Sequence, residues 1–221
     1  MVQIIKLMIK LNFIYSKDQD VSNVINLIGD IDWIVKNKYN VILPSLFSIN
    51  NLADQKKEDT ESAVCKEYDQ KVYFDIEKKL RVEWDKIDHS LEMGINKINK
   101  NALKEFNIYL TKYGFVGGYE LPNEVIINIT SRTVDQMAGS IAHEIIHLNI
   151  ESLIQKYKIE HWTKERIVNL ISLKIFPTKF KLQRDPENSE LIGKYFEQYY
   201  PDIEKMISAI SGVHGRRKGE E

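Results

Sequence analysis

Residues 141–150 read IAHEIIHLNI, which sets His143 and His147 four positions apart with Glu144 beside the first of them. On an α-helix, positions i and i+4 share a face one turn apart. Two imidazoles so placed can give two nitrogen ligands to one metal ion, at a separation that suits tetrahedral zinc. Glu144 lies about 100° round the helix from His143. From there its carboxylate can take a proton from a water beside the metal without ligating the metal itself. The H-E-x-x-H pattern therefore holds two ligands and a general base, the parts needed for metal-assisted hydrolysis. A lone histidine on an apolar helix is more often a satisfied core residue. Two at this spacing, among Ile141, Ile145 and Leu148, would be costly to bury without a common partner.

The helix that carries them is legible on both sides of the motif. Thr133 and Gln136 have capping-box spacing and Asp135 favours a first turn, so a helix over about 134–157 is predicted. A catalytic zinc site needs a third protein ligand beside a water. The stretch KIEHWTKERIVNLISLKIFP offers two candidates. Ile167, Val168, Leu170, Ile171 and Ile175 predict a second helix, which Pro177 helps to end. Glu165 falls in its first turn, 18 residues beyond His147, and a short reversal would bring it back over the metal. His161, just before that helix, is the rival. The plain reading of Glu165 is a solvated acid favoured by the helix dipole. That of His161 beside Trp162 is a helix-entry contact.

HEIIH followed by KERIVN resembles the gluzincin metallopeptidases, the thermolysin-like group, over roughly residues 108–176. The resemblance implies one zinc ion per chain held by His143, His147 and Glu165, with Glu144 as the catalytic base. It implies hydrolysis of peptide bonds, and hence a peptide or protein substrate. Where that family has an acid four residues after the ligand glutamate, this chain has Asn169. An amide can still orient an imidazole, but it raises the ligand's basicity less. The resemblance also gives a role to a strand at a sheet edge, which would pair with an extended substrate. YLTKYGFVGGY and EVIINI are the candidates for that strand. An oxyanion-stabilising group would come from downstream, where Tyr157, Tyr195, Tyr199, Tyr200 and His214 are available.

Upstream elements must position these groups. Ile5, Leu7, Ile9, Leu11, Phe13 and Tyr15 alternate with Lys6, Met8, Lys10 and Asn12, which predicts a half-buried strand rather than an export signal. A helix follows over KDQDVSNVINLIGD, with Asp18 or Asp20 as its cap, then a short strand YNVILP stopped at Pro44. After a polar connector, NNLADQKKEDTES, the apolar stripe Tyr68, Val72, Ile76, Leu80, Trp84, Ile87 and Leu91 predicts one long helix ending at Gly94. The stretch INKINKNALKEF is polar, with room for a further short helix. Residues 108–129 then read as two strands around a glycine-rich bend at Gly114, Gly117 and Gly118.

The expected fold is α+β. It comprises an N-terminal α/β lobe with a long helix (1–107) and a zincin-like core (108–210). That core would hold a small mixed sheet, the H-E-x-x-H helix and a helix bearing the ligand glutamate. The polar tail 211–221 is expected to be disordered.

The chain has 221 residues, 43% hydrophobic and 29% charged, and a formal net charge of −1. That composition suits a soluble globular protein and gives no basic field for nucleic acid or membrane. A single cysteine, Cys65, excludes an intramolecular disulfide and favours the cytoplasm. Cys65 lies among charged residues and reads as a surface thiol. Two other functions stay open: a metal-dependent hydrolase of non-peptide bonds, and an interaction protein with a structural zinc. A structural zinc would have four protein ligands, so recruitment of His161 beside Glu165 would favour it.

Overall fold

Three of the four strands formed by the described residues run parallel, and the fourth runs against its neighbour at the sheet edge. The computed structural model describes residues 9–177 and 189–217. These form a mixed α+β chain in two compact units. One comprises residues 10–86 and 105–141 and contains the sheet. The other comprises 87–104 and the described part of the chain from 142 onward, and is helical.

In the sheet unit, β1 (Lys10–Ile14), β2 (Glu105–Thr111), β3 (Gly117–Glu120) and β4 (Glu124–Asn128) lie in the order β1-β2-β4-β3. The β1–β2 and β2–β4 pairs are parallel, with Leu11 opposite Phe106 and Ile108 opposite Val125. Phe106, Ile108, Leu110, Val125 and Ile127 are fully buried, as expected for strands bearing branched and aromatic residues at alternate positions. The alternation across residues 9–14 is realised in β1, where Leu11 is buried and Lys10 exposed. Residues 1–8, which carry the rest of that pattern, lie outside the described residues.

The glycine-rich bend is itself a strand. Gly117 and Gly118 lie in β3, antiparallel to β4. The reading of two strands about a simple bend is therefore corrected: β2 and β4 are parallel and β3 returns along β4. Of the two candidate edge segments, the one ending GGY supplies the edge strand, while EVIIN is interior. YNVILP is not a strand. Only Ile42 pairs, exchanging both backbone bonds with Gly114 at 2.9 and 2.8 Å, because Pro44 has no N–H to continue a ladder.

Helix α1 (Lys17–Gly29) is capped by Ser16, whose Oγ accepts from the Gln19 backbone N–H at 3.1 Å. This corrects the assignment of the cap to Asp18 or Asp20. Asp20 is instead fully buried. It accepts from the Tyr73 hydroxyl and from the Lys112 backbone N–H. Helix α2 (Ile31–Lys36) follows, then a 3-10 turn at Leu52–Asp54.

The single long helix is three: α3 (Lys57–Glu67), α4 (Gln70–Trp84) and α5 (Asp88–Ile98). Tyr68 adopts an extended backbone, and the Asp69 side chain caps α4 by accepting from Lys71 N. The break shifts the buried stripe. Tyr73, Leu80 and Trp84 are buried, while Val72 is exposed. INKINK is largely the end of α5, and no separate helix follows before β2.

Gly94, expected to end the helix, sits inside α5 in the helical unit. A Cβ there would meet Ile175 Cδ1 at 2.4 Å, so the glycine lets α5 and α7 approach closely. Helix α6 (Val134–Lys156) carries the motif and α7 (His161–Ile175) follows. Within α6, Asn149 accepts from Leu103 N through Oδ1 at 3.1 Å, and its carbonyl accepts from Asn99 Nδ2 at 3.0 Å. Helices α8 (Ser189–Tyr199) and α9 (Ile203–Arg217) complete the unit. An exposed Lys156–Glu204 pair at 2.5 Å joins α6 to α9. The α9 backbone stays helical to Arg217, past residue 211 where the sequence reads as a polar tail. Cys65 is exposed. No helix of the described residues is long and apolar enough to cross a membrane.

Candidate metal centre

The site begins with the start of α6. Thr133 N donates to Gln136 Oε1 at 3.2 Å, which is half of the expected capping box. The Thr133 hydroxyl bonds Asp135 rather than the helix backbone. Along α6, Ile141, Ala142, Ile145 and Ile146 are all fully buried, so the histidines emerge from a helix with little freedom to rotate. His143 is 6% exposed and His147 1%.

Helix α7 supplies the third group. Its N-cap is Glu160, whose carboxylate accepts from Trp162 N, Thr163 N and the Thr163 hydroxyl, each at 3.2 Å. Three bonds at one cap fix where the helix starts, and with it the turn that carries Glu165. Sequence reasoning missed this residue because glutamate is not among the usual cap types. The available signal was Thr163, which satisfies both the cap and its own hydroxyl. Ile167, Val168 and Ile171 are fully buried and hold the inner face of α7.

His143, His147 and Glu165 come together. His143 Nε2 and His147 Nε2 are 3.1 Å apart. Glu165 straddles them, with Oε2 at 3.4 Å from His143 Nε2 and Oε1 at 3.3 Å from His147 Nε2. The ligand atoms of a tetrahedral zinc site, each about 2.0–2.2 Å from the metal, lie about 3.3 Å from one another. The three donors have that spacing, and among the described residues they form a group able to hold a metal ion. His161 is not part of it. It is the first residue of α7 and packs edge-on against Trp162 with ring centroids 4.8 Å apart.

Burial opposes the charge on Glu165, but the hydrogen bonds and charges of His143 and His147 outweigh it and hold its pKa well below the ordinary carboxylate value. Glu144 shows the opposite balance. Burial, reinforced by the Glu165 charge, raises its pKa against the lowering influence of His143, His147 and Lys164. Two carboxylates in one site are thus pushed apart, one kept ionised for a cation and one readied to accept a proton.

Asn169 is buried on α7, one turn past Glu165. Of the downstream tyrosines, Tyr157 donates to Glu204 at 3.4 Å, and Tyr195 and Tyr199 stack with centroids 6.1 Å apart. Tyr200 packs against Phe196 and its pKa is raised by burial. The side chain of His214 lies outside the described residues.

No protein-family model, no curated protein and no solved structure matches this chain.

Proposed function

We propose that this protein is a zinc-dependent peptidase in which His143, His147 and Glu165 hold one zinc ion and Glu144 is the general base. The observation that carries the reading is the trio of donor atoms 3.1–3.4 Å apart. Nitrogen and carboxylate ligands suit zinc, and three protein ligands leave one coordination position for water or substrate, as a catalytic site requires. His161 lies outside the trio, so the four-ligand arrangement of a structural zinc gains no support.

A zinc ion bound there supplies Lewis acidity, polarising a carbonyl and making water acidic near neutral pH. The chain supplies the rest. Glu144 takes the proton from the attacking water and returns it to the leaving amine. A carboxylate beside the attacking water can both accept that proton and donate it. Glu165 stays anionic and fixes both imidazoles by facing one with each oxygen.

The test is elemental analysis of protein purified without added metal, followed by an assay on a mixed peptide library. One zinc per chain with library cleavage, and zinc without cleavage in Glu144→Gln, is the expected result. Metal-free wild type that takes up no zinc when it is offered would end the reading.

A further inference from the structure

A second site lies wholly within the sheet unit and depends on none of the metal chemistry above. Helix α1, the turn into α2 and the edge strand β3 line a cavity of about 440 Å³. That volume holds a small molecule or one long side chain. No residue of the metal trio lines it.

The charge on its walls has one sign. Asp30 and Glu120 line it, and no lysine, arginine or histidine does. Asp30 makes no side-chain cap bond to α2 although it precedes that helix. Glu120 stands directly opposite Glu124 in the β3–β4 register, a like-charge pair that costs stability unless a cation relieves it.

Three hydrogen-bond donors on the walls are committed elsewhere. Asn23 Nδ2 donates to the Tyr113 carbonyl at 2.8 Å and to Thr111 Oγ1 at 3.2 Å. Gly114, with φ +101°, leaves room for that amide, which a Cβ would meet at 2.9 Å. Its own N–H is taken by the Ile42 carbonyl. The Asp30 N–H is likewise held by the Asn26 carbonyl. What remains includes two carboxylates, the Asn23 side-chain oxygen and the Asn26 amide, which can accept as well as donate.

The rest of the lining is apolar or bare backbone. Ile25, Leu27, Phe115 and Ile126 contribute hydrocarbon surface. Phe115 meets Tyr39 and Trp33 edge-on, with centroids 5.6 and 6.3 Å away, and Trp33 is 49% exposed. A Cβ on Gly118 would meet nothing within 4 Å, so the glycine keeps space open. Two carboxylates, the Phe115 ring and a hydrocarbon wall together select a cation carried on an apolar stem.

We propose that this cavity binds an organic cation, an ammonium or guanidinium head on an aliphatic chain, either free or as the lysine or arginine side chain of a peptide.

The experiment is an amide NMR titration of the full chain with n-butylguanidinium, its neutral isostere n-butylurea, and a capped glycine-arginine-glycine peptide. Saturable shifts at Gly114, Gly117 and Gly118 with butylguanidinium, and none with butylurea, are expected. Both carboxylates are exposed and screened by water, so Asp30→Asn and Glu120→Gln should each weaken binding about two- to fivefold. Gly118→Val should remove binding by filling the cavity. The two carboxylate variants sit on the surface and keep the test decisive if the valine variant fails to fold. Binding of the peptide well beyond that of butylguanidinium assigns the cation to a peptide side chain, and equal binding assigns it to a free amine or guanidine. Equal shifts with butylurea, no saturable shifts with either cation, or indifference to both carboxylate variants would overturn the proposal.

Discussion

His143 Nε2 and His147 Nε2 lie 3.1 Å apart, and each faces a different oxygen of Glu165. Neutral imidazole nitrogens that both present lone pairs at this distance repel, so a shared cation or a proton must sit between them. Zinc should therefore stabilise the fold. At a free concentration one hundred times its dissociation constant the gain is about 2.7 kcal/mol. For a chain of this size that is a rise in melting temperature of roughly 5–10 °C. Differential scanning fluorimetry with and without chelator reads it. Glu165→Ala should lose most of the shift, and His161→Ala should keep it. A shift abolished by His161→Ala and kept by Glu165→Ala would move the third ligand to His161.

Glu144→Gln separates base from ligand. Glu144 is outside the three-donor group, so the variant should hold zinc as wild type does. Removing a general base costs about 10²- to 10⁴-fold in rate, and the loss should fall on kcat with little change in KM. Metal content and steady-state kinetics on the same preparation check both halves.

The parts of the site that depend on local spacing were legible in the sequence, and the parts that depend on long-range pairing were not. Four-residue spacing puts His143 and His147 on one face whatever surrounds α6. Glu165 reads in the sequence as a first-turn acid, but α7 begins at His161 and has no acid in its first turn, and its meeting with the histidines depends on the reversal at residues 157–160. The parallel pairing of β2 with β4 joins residues 17 positions apart, such as Ile108 and Val125, and no local pattern distinguishes it from a hairpin. The break at Tyr68 and Asp69 was hidden because aromatic and aliphatic residues happen to keep a helical period across it. Gly94 misled for another reason. A glycine within a helix marks close packing as readily as an end, and only Ile175 decides which.

Gly94→Ala therefore tests packing rather than capping. Alanine favours a helix by about 1 kcal/mol over glycine. If Gly94 served only to end the helix, the change would be neutral or harmful without reference to α7. With a Cβ driven to 2.4 Å from Ile175, overpacking should outweigh propensity and cost about 1–3 kcal/mol. Ile175→Ala in the same chain should recover part of that loss. Urea denaturation of the two single variants and the double variant gives the coupling.

Tyr73→Phe probes the buried carboxylate of Asp20. The Tyr73 hydroxyl donates to Asp20 Oδ2, and both residues are fully buried. Losing one donor to a buried carboxylate should cost about 1–3 kcal/mol. Burial raises the Asp20 pKa against the lowering influence of Tyr73, Thr111 and the Lys112 amide. Without Tyr73 it should rise further. The penalty should shrink on acidification, because a neutral carboxyl has less need of the donor. Chemical denaturation of both proteins at several pH values reads that trend.

Acidity should also mark Glu144 in the kinetics. As the base it must be ionised, so kcat/KM should climb with pH through its ionisation. Lys164 lowers that pKa by its charge, so Lys164→Gln should displace the limb to higher pH. Stability carries the opposite sign. Between 4.5 and the raised pKa the folded chain binds a proton that the unfolded chain has released. The contribution of Glu144 is therefore fully present below 4.5 and is lost as pH rises through the folded pKa. Glu144→Gln removes this dependence, so the variant should gain stability over wild type as pH rises across that interval. A pH–rate profile and paired denaturation curves give two readings of one group. A limb unmoved by Lys164→Gln, with no divergence in stability, would place the kinetic ionisation elsewhere.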